Sequence, residues 1–449
     1  MKIKFLGAAG TVTGSSYVLT SGRGQSIMID LGMFQGLKEI DELNYKQFDY
    51  DGGQLSGAIL THAHLDHCGR LPILLPMGFK SDIFMTQPTQ EMTELSLLDS
   101  AKIAVQDERP ILFDKDLAYE TFQFFKNVEY RKPFQMGDFT VTFRDAGHIL
   151  GSASLEITDE HASSGIRKIV FSGDLGNSPE DLVEQTEFID SADAVIMEST
   201  YGDRLHPDEV PENIIQSEIN IVENSGGVLM MPAFALERTQ ELMHIIMHLK
   251  KTGKIQAKTQ IYMDSPMAKN ATKIYRNHPD MFNQHVRDDF HNGDPFEFDG
   301  LNIVESRSAS RDVYHERGAK VIIAGSGMMT GGRILGHAQQ YLPLSSSRLL
   351  IVGYQGEGTI GRALLEGARD ITIEGKPVHV NATVNSTQAM SSHADQSQLL
   401  KWLEHIKDVK KVILTHGEDD PRKALAKRIW EELNIQDVVM PVLNEELTF

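Results

Sequence analysis

Gly57-Ala58-Ile59-Leu60-Thr61-His62-Ala63-His64-Leu65-Asp66-His67 is the stretch that decides how this chain folds. An apolar run, GAILT, reads as a strand, and four potential metal ligands follow within six residues. In an extended segment alternate side chains share a face, so His62 and His64 point the same way. The helix-like LPILL run downstream predicts that the chain turns after Leu65, aiming Asp66 and His67 at a neighbouring point. Two adjacent metal ions suit this layout. Cys68 is the single cysteine, so neither an intramolecular disulfide nor a multi-cysteine zinc site is available, and any metal must be held by His and carboxylate. Cys68 itself reads as a small packed residue.

Further ligands must come from other strand ends. His148 follows a β-rich run in DAGHILGS, Asp174 ends one in FSGDLG, and His416 ends one in ILTHGE. A lone histidine at a strand end is as readily a hydrogen-bonded loop residue, but beside the H-x-H-x-D-H core a shared site is the better explanation. Residues 1 to 60 read as strands and tight turns, and 89 to 126 as helical, with Ala118, Phe122 and Phe125 at i, i+4, i+7. Strands return after that. From Pro207 strands and helices alternate, with Ser265 as N-cap before Pro266, which implies a second α/β domain. The last segment again ends a strand on a histidine, so the first domain is expected to be split by an insertion: 1–204 and 376–449 for its two parts, 205–375 for the insert.

With 449 residues the chain has room for two to three domains, and 41% hydrophobic against 24% charged residues excludes a disordered or collagen-like protein. No apolar run approaches about 18 residues, and glycines interrupt the N-terminus where a signal peptide needs an apolar core, so a cytoplasmic protein with no membrane contact is expected. Acidic residues number 63 against 43 basic, a net charge of −20 that repels nucleic acid at long range. Binding a polyanion would need a local cationic patch or a metal centre.

Beyond the ligand core, the blocks GAAGTVTGSSY, DLGMFQG, FRDAGHILGSA, SGDLGN, ESTYGDR, PAFALERTQEL, SPMA, GSGMMTGGR, GYQGEGTIGR, SSHAD and LTHGE run almost end to end. In these the chain resembles the β-CASP ribonucleases of the metallo-β-lactamase superfamily, short RNA-processing nucleases similar to the nuclease subunit of the cleavage and polyadenylation specificity factor. The resemblance implies an αββα metallo-β-lactamase sandwich with an inserted α/β β-CASP domain. It places His62, His64 and His148 on one zinc, Asp66, His67 and His416 on another, and Asp174 between them. Mn²⁺ suits the same ligand types. Asp30 matches the family's first motif acid, supporting the ligand loops without being a ligand. Glu198 and His393 match the pair that protonates the departing oxygen; taken alone they read as a strand-end cap and a packed residue at a helix start.

The implied activity is zinc-dependent hydrolysis of RNA, single-stranded, by a two-metal hydroxide mechanism that leaves 5′-phosphate and 3′-hydroxyl ends. Phosphates along the substrate are expected at Arg238, at Ser265, at Gly331, Gly332 and Arg333, and at Gly361 and Arg362, although a Gly-rich turn alone usually only turns. Glu237 stands where relatives usually carry Gly, beside Arg238, and is expected to weaken RNA binding. The C-terminal and KH-type domains of some relatives are not expected, which points to a monomer or weak dimer with protein partners unspecified. Internal against 5′-end cleavage stays open. The rival readings are a small ester, thioester or lactam hydrolase, and a non-catalytic RNA-binding member.

Overall fold

The computed structural model describes residues 1–46, 50–106, 110–162, 165–177, 182–356 and 358–449. Their contacts divide into two compact units, Met1–Leu205 with His393–Phe449, and His206–Ser392.

The central strands of the split unit, such as Ser26–Leu31 and Ala194–Met197, are buried on both faces, which is why they read as continuous apolar runs. One sheet orders Glu446–Thr448, Lys2–Phe5, Ser16–Thr20, Ser26–Leu31, Leu55–Ile59, Ile83–Met85 and Phe125–Asn127. The other orders Val438–Val439, Lys411–Leu414, Ala194–Met197, Lys168–Phe171, Ala153–Asp159, Phe139–Asp145 and Phe134–Met136. Period-two alternation sorts each strand between two cores. Ile27 and Ile29 join Phe143, Leu155, Ile157 and Ile196 between the sheets, and each such side chain contributes about 1.5–3 kcal/mol by leaving water. Met28, Ala58 and Met85 face outward under the helices Gln87–Gln106 and Lys115–Phe122. On the far side Val195, Met197 and Val412 are covered by Trp402 and Leu403 of Gln396–His405 and by Leu425 and Ile429 of Asp419–Leu433. The layers are therefore αββα, as expected.

The helical span expected at 89–126 is interrupted. Asp114 caps the second helix by accepting from Leu117 N–H at 2.9 Å, and Phe125–Asn127 is a strand that pairs in parallel with Ile83–Met85. Phe125 fits a helical spacing and a strand equally, and the free sheet edge decides for the strand.

The other unit holds a six-stranded sheet in the order Leu301–Ile303, Gln260–Asp264, Lys320–Ala324, Val228–Pro232, Arg348–Ile351, Thr383–Ser386, all pairs parallel. Helices including Pro211–Ser225, Arg238–Lys251, Pro266–Asn277 and Ile334–Tyr341 connect its strands, the alternation read from Pro207 onward. Ser265 does cap its helix, accepting from Ala268 N–H at 3.1 Å. The second seam differs from the expected 375/376. Thr383–Ser386 satisfies its backbone on Arg348–Ile351, which keeps the chain in this unit as far as Ser392. No described helix is long and apolar enough to cross a membrane.

Candidate metal centre and active site

In the split unit, Lys168–Phe171, Ala194–Met197 and Lys411–Leu414 run in parallel, so their C-terminal ends share one rim. Asp174, Glu198 and His416 follow those ends. Ser26–Leu31 and Leu55–Ile59 are likewise parallel and deliver Asp30 and the Thr61–His67 segment. Loops leaving aligned strand ends converge, which is how residues hundreds apart reach one point. Asp66 and His67 lie in the short helix Leu65–Cys68, immediately after His64, as the spacing implied.

Three clusters of ligand atoms result at this rim among the described residues, one of them Asp174, Glu198 and His393. His62, His64, His148 and Asp174 form another, each atom within 4.8 Å of the others; Asp66, His67 and His416 form the third on the same criterion. His64 Nδ1 stands 3.2 Å from His62 Nε2 and 3.1 Å from His148 Nε2. His416 Nε2 lies 3.4 Å from Asp66 Oδ2. Asp174 serves both: Oδ2 is 3.5 Å from His62 Nε2 and 3.7 Å from His148 Nε2, while Oδ1 is 3.3 Å from His67 Nε2 and 3.7 Å from His416 Nδ1.

Neighbouring groups order the imidazole protons. Asp30 Oδ1 accepts from Thr61 N–H at 2.8 Å and Oδ2 from the Thr61 hydroxyl at 2.9 Å. With its hydrogen so used, Thr61 Oγ1 accepts from His62 Nδ1 at 3.1 Å, leaving the Nε2 lone pair for a cation. His67 Nδ1 donates to Asp30 Oδ2 at 2.7 Å, which frees its Nε2 in the same way. On the opposite side the Thr200 hydroxyl faces the His416 carbonyl at 3.2 Å and takes His416 Nδ1 at 3.0 Å. Thr61 and Thr200 were not among the candidates from sequence; their only signal is adjacency to His62 and one intervening residue from Glu198.

Electrostatics agree with a cation site. Burial, reinforced by the charge on His67, holds His62 well below the usual histidine value, and burial brings His64 down to about 4. Burial alone would raise Asp66, but the His416 hydrogen bond and the surrounding imidazoles bring it to about 2; imidazoles likewise outweigh burial to hold Asp174 well below the carboxylate range. Burial would lower His67, but the Asp174 and Asp30 carboxylates raise it well above the usual histidine value; His62 and His64 beside ionised carboxylates are already in the states a divalent metal needs, whereas at His67 the metal would displace a proton. The buried Asp174 Oδ1 makes no well-formed hydrogen bond, so the chain's own residues leave it for something else to satisfy. The donor set fits zinc. Asp30→Asn is expected to weaken zinc binding about 10–100-fold in a chelator competition titration, with the fold unchanged by circular dichroism. An unaltered affinity would remove Asp30 from the support of the metal ligands.

His393 Nδ1 lies 3.3 Å from Glu198 Oε1 and 3.9 Å from Asp174 Oδ2. Burial lowers the His393 imidazole, but the Glu198 carboxylate and hydrogen bond overcome this and raise it to about 9. Glu198 Oε1 also accepts from Leu175 N–H at 2.7 Å and Oε2 from Thr200 N–H at 3.4 Å, so it caps backbone and holds His393 together. Cys68 is buried with its thiol pushed up by that burial, in keeping with a packing role.

The phosphate-contact candidates belong to the other unit. Gln355 Nε2 donates to Gly327 O at 2.9 Å and Gly361 N–H to Met328 O at 3.4 Å, so the two Gly-rich turns pack as one surface. Glu357, inside the second turn, lies outside the described residues. Close packing explains two of the glycines: a Cβ on Gly332 would sit 2.4 Å from Gly325 O, and one on Gly361 1.7 Å from Gln355 Oε1. Gly331 meets nothing within 4 Å. The arginines carry internal partners. Arg333 pairs with Asp264 and donates to Val304 O at 2.8 Å; Arg362 donates to Glu366 Oε1 at 2.6 Å; Arg238, nearly buried, pairs with Glu241 and reaches Ser392 Oγ at 2.9 Å. The Ser265 hydroxyl is the helix cap described above. Glu237, in the left-handed region at φ 65°, accepts from the Tyr275 hydroxyl at 2.7 Å. That backbone region is where glycine costs least.

Comparison with known proteins matches three domain families: Metallo-beta-lactamase superfamily over residues 9–77, Beta-Casp domain over 239–364, and Zn-dependent metallo-hydrolase RNA specificity domain over 377–441. Ribonuclease TTHA0252 of Thermus thermophilus is 36% identical over 95% of each chain. Proteins named transcription termination factor FttA from Methanosarcina mazei and Methanocaldococcus jannaschii are 29% and 28% identical, over 97% and 98% of this chain and 70% and 71% of theirs. A crystal structure of an Enterococcus faecalis protein of unknown function superposes with a TM-score of 0.54 at 10% identity, covering 100% of this chain and 99% of that one, a likeness of fold alone.

Proposed function

The chain belongs to the β-CASP nuclease family of the metallo-β-lactamase superfamily, and from that premise we propose that it is a zinc-dependent ribonuclease of RNA processing or decay. The observation that carries the proposal is the Asp174 carboxylate, whose two oxygens face separate histidine clusters on one strand-end rim. His62, His64 and His148 would hold one zinc, Asp66, His67 and His416 a second, with Asp174 shared. Bound there, zinc would neutralise phosphate charge and lower the pKa of water so that a hydroxide nucleophile exists near neutral pH.

The chain's own groups do the rest. Hydrolysis adds the water oxygen to phosphorus and a proton to O3′, leaving a 5′-phosphate and a 3′-hydroxyl. His393, held as imidazolium by Glu198, carries that proton. Asp30 and Thr200 fix the ring orientations of His67 and His416. Arg238, Ser265, Gly331, Gly332, Arg333, Gly361 and Arg362 would meet flanking phosphates, the arginines by exchanging a carboxylate partner for phosphate. This supplies the local attraction that a chain of net charge −20 needs.

The test pairs 5′-labelled with internally labelled single-stranded RNA, using protein of measured zinc content and an Asp66→Ala/His67→Ala control. Cleavage that needs metal and vanishes in the control is the expected result, and product sizes give the polarity. A preparation that holds two zincs more than the Asp66→Ala/His67→Ala/Asp174→Ala variant and leaves both RNAs intact would refute the proposal in favour of a small-molecule hydrolase.

A further inference from the structure

Four metal-binding side chains stand together in the His206–Ser392 unit, apart from the centre just described: His244, His248, His285 and Asp289. His244 and His248 are one turn apart on the helix Arg238–Lys251; His285 and Asp289 are one turn apart on Gln284–Asn292. Spacing of i, i+4 puts each pair on one helix face, and the four ligand atoms lie within 4.8 Å of one another. His244 Nε2 and His248 Nε2 approach the same oxygen, Asp289 Oδ2, at 3.1 and 2.7 Å, and sit only 3.2 Å apart. His285 Nε2 completes the group at 3.9 Å from that oxygen. Lys251 Nζ lies 3.7 Å from the other one, Oδ1.

His244 Nε2 and His248 Nε2 thus crowd one another beside a single carboxylate oxygen. A metal ion resolves this by taking the lone pair of each ring and the carboxylate together, in the four-coordinate N/O set that suits zinc. His285, whose side chain is 66% exposed, leaves an entry path from solvent.

We propose that His244, His248, His285 and Asp289 form a zinc site that ties Arg238–Lys251 to Gln284–Asn292. The tie fixes the helix that begins at Arg238. Its sequence signal, His-x3-His and His-x3-Asp, lay outside the strand-end logic that exposed the first centre.

The full chain and a His248→Ala/His285→Ala variant, both stripped with chelator, reloaded with zinc and gel-filtered, should differ by about one zinc per chain. Repeating the pair in an Asp66→Ala/His67→Ala/Asp174→Ala background separates this site from the proposed catalytic one, since the difference must persist there. If the double variant does not fold, His285→Gln, a change on an exposed ring, should weaken that zinc's affinity about tenfold or more in a competition titration. Equal zinc content in the folded pair, or an unchanged affinity in His285→Gln, overturns the proposal in favour of a metal-free polar cluster.

Discussion

His393→Ala is expected to lose about 10²–10⁴-fold in RNA hydrolysis while keeping its zinc content. The ring lies 3.3 Å from Glu198 and 3.9 Å from Asp174 Oδ2, where its pairing with Glu198 suits a proton donor, so its removal is expected to spare the seven proposed ligands. Burial would discharge it; Glu198 outweighs burial and raises it to about 9. A raised value means the protonated donor persists through neutral pH and is lost as pH climbs through that value. Cations bound nearby oppose the imidazolium charge, so the alkaline limb of the rate profile is expected at or below about pH 9. In His393→Ala that limb should disappear, and Glu198→Gln should shift it to lower pH because the carboxylate that favours imidazolium is gone. A His393→Ala protein that cleaves RNA at the parent rate would remove the ring from the chemistry. One that also loses metal would reassign it as a ligand support.

Asp174→Ala is expected to abolish cleavage and to disturb both metal positions at once. A single buried carboxylate presents one oxygen to His62 and His148 and the other to His67 and His416, so its loss leaves two imidazole groups without their shared anion. An uncompensated cation pair in a buried site repels itself strongly. Zinc measured per chain should therefore fall below the value for Asp66→Ala, which subtracts a ligand from only one cluster. A zinc content equal to that of the parent chain, with measurable cleavage, in Asp174→Ala would show that the two clusters do not share this carboxylate.

Several features were legible without any structure because they are local. Period-two runs ending in Gly, Asp or His marked strands and their polar ends, and His62-x-His64-x-Asp66-His67 carries its geometry within a strand end and one helical turn. Ser265-Pro266 announced a helix start that the cap hydrogen bond matches. What local pattern left ambiguous was settled by neighbours. Phe125 became a strand because Ile83–Met85 offered an open edge, and Thr383–Ser386 stayed with the inserted sheet because Arg348–Ile351 takes its backbone hydrogen bonds.

The residues of the site divide along the same line. Sequence by itself determined which groups could bind metal or move a proton, since imidazole and carboxylate chemistry travels with the residue. Hydrophobic periodicity marked the strands and helices and a domain split by an α/β insert, while the αββα layering was implied by the family resemblance of the motif blocks. The resemblance implied that His148, Asp174, Glu198, His393 and His416 meet, but only the tertiary structure decided from which strand ends they do so, that Asp30 and Thr61 orient His67 and His62, and that Arg238 and Arg333 pair with Glu241 and Asp264. It alone brought His244 and His248 to His285 and Asp289. The physical reason is range: side-chain chemistry and backbone periodicity act over a few residues, whereas which strand ends share a rim and which helix faces meet depend on how distant segments pair and pack.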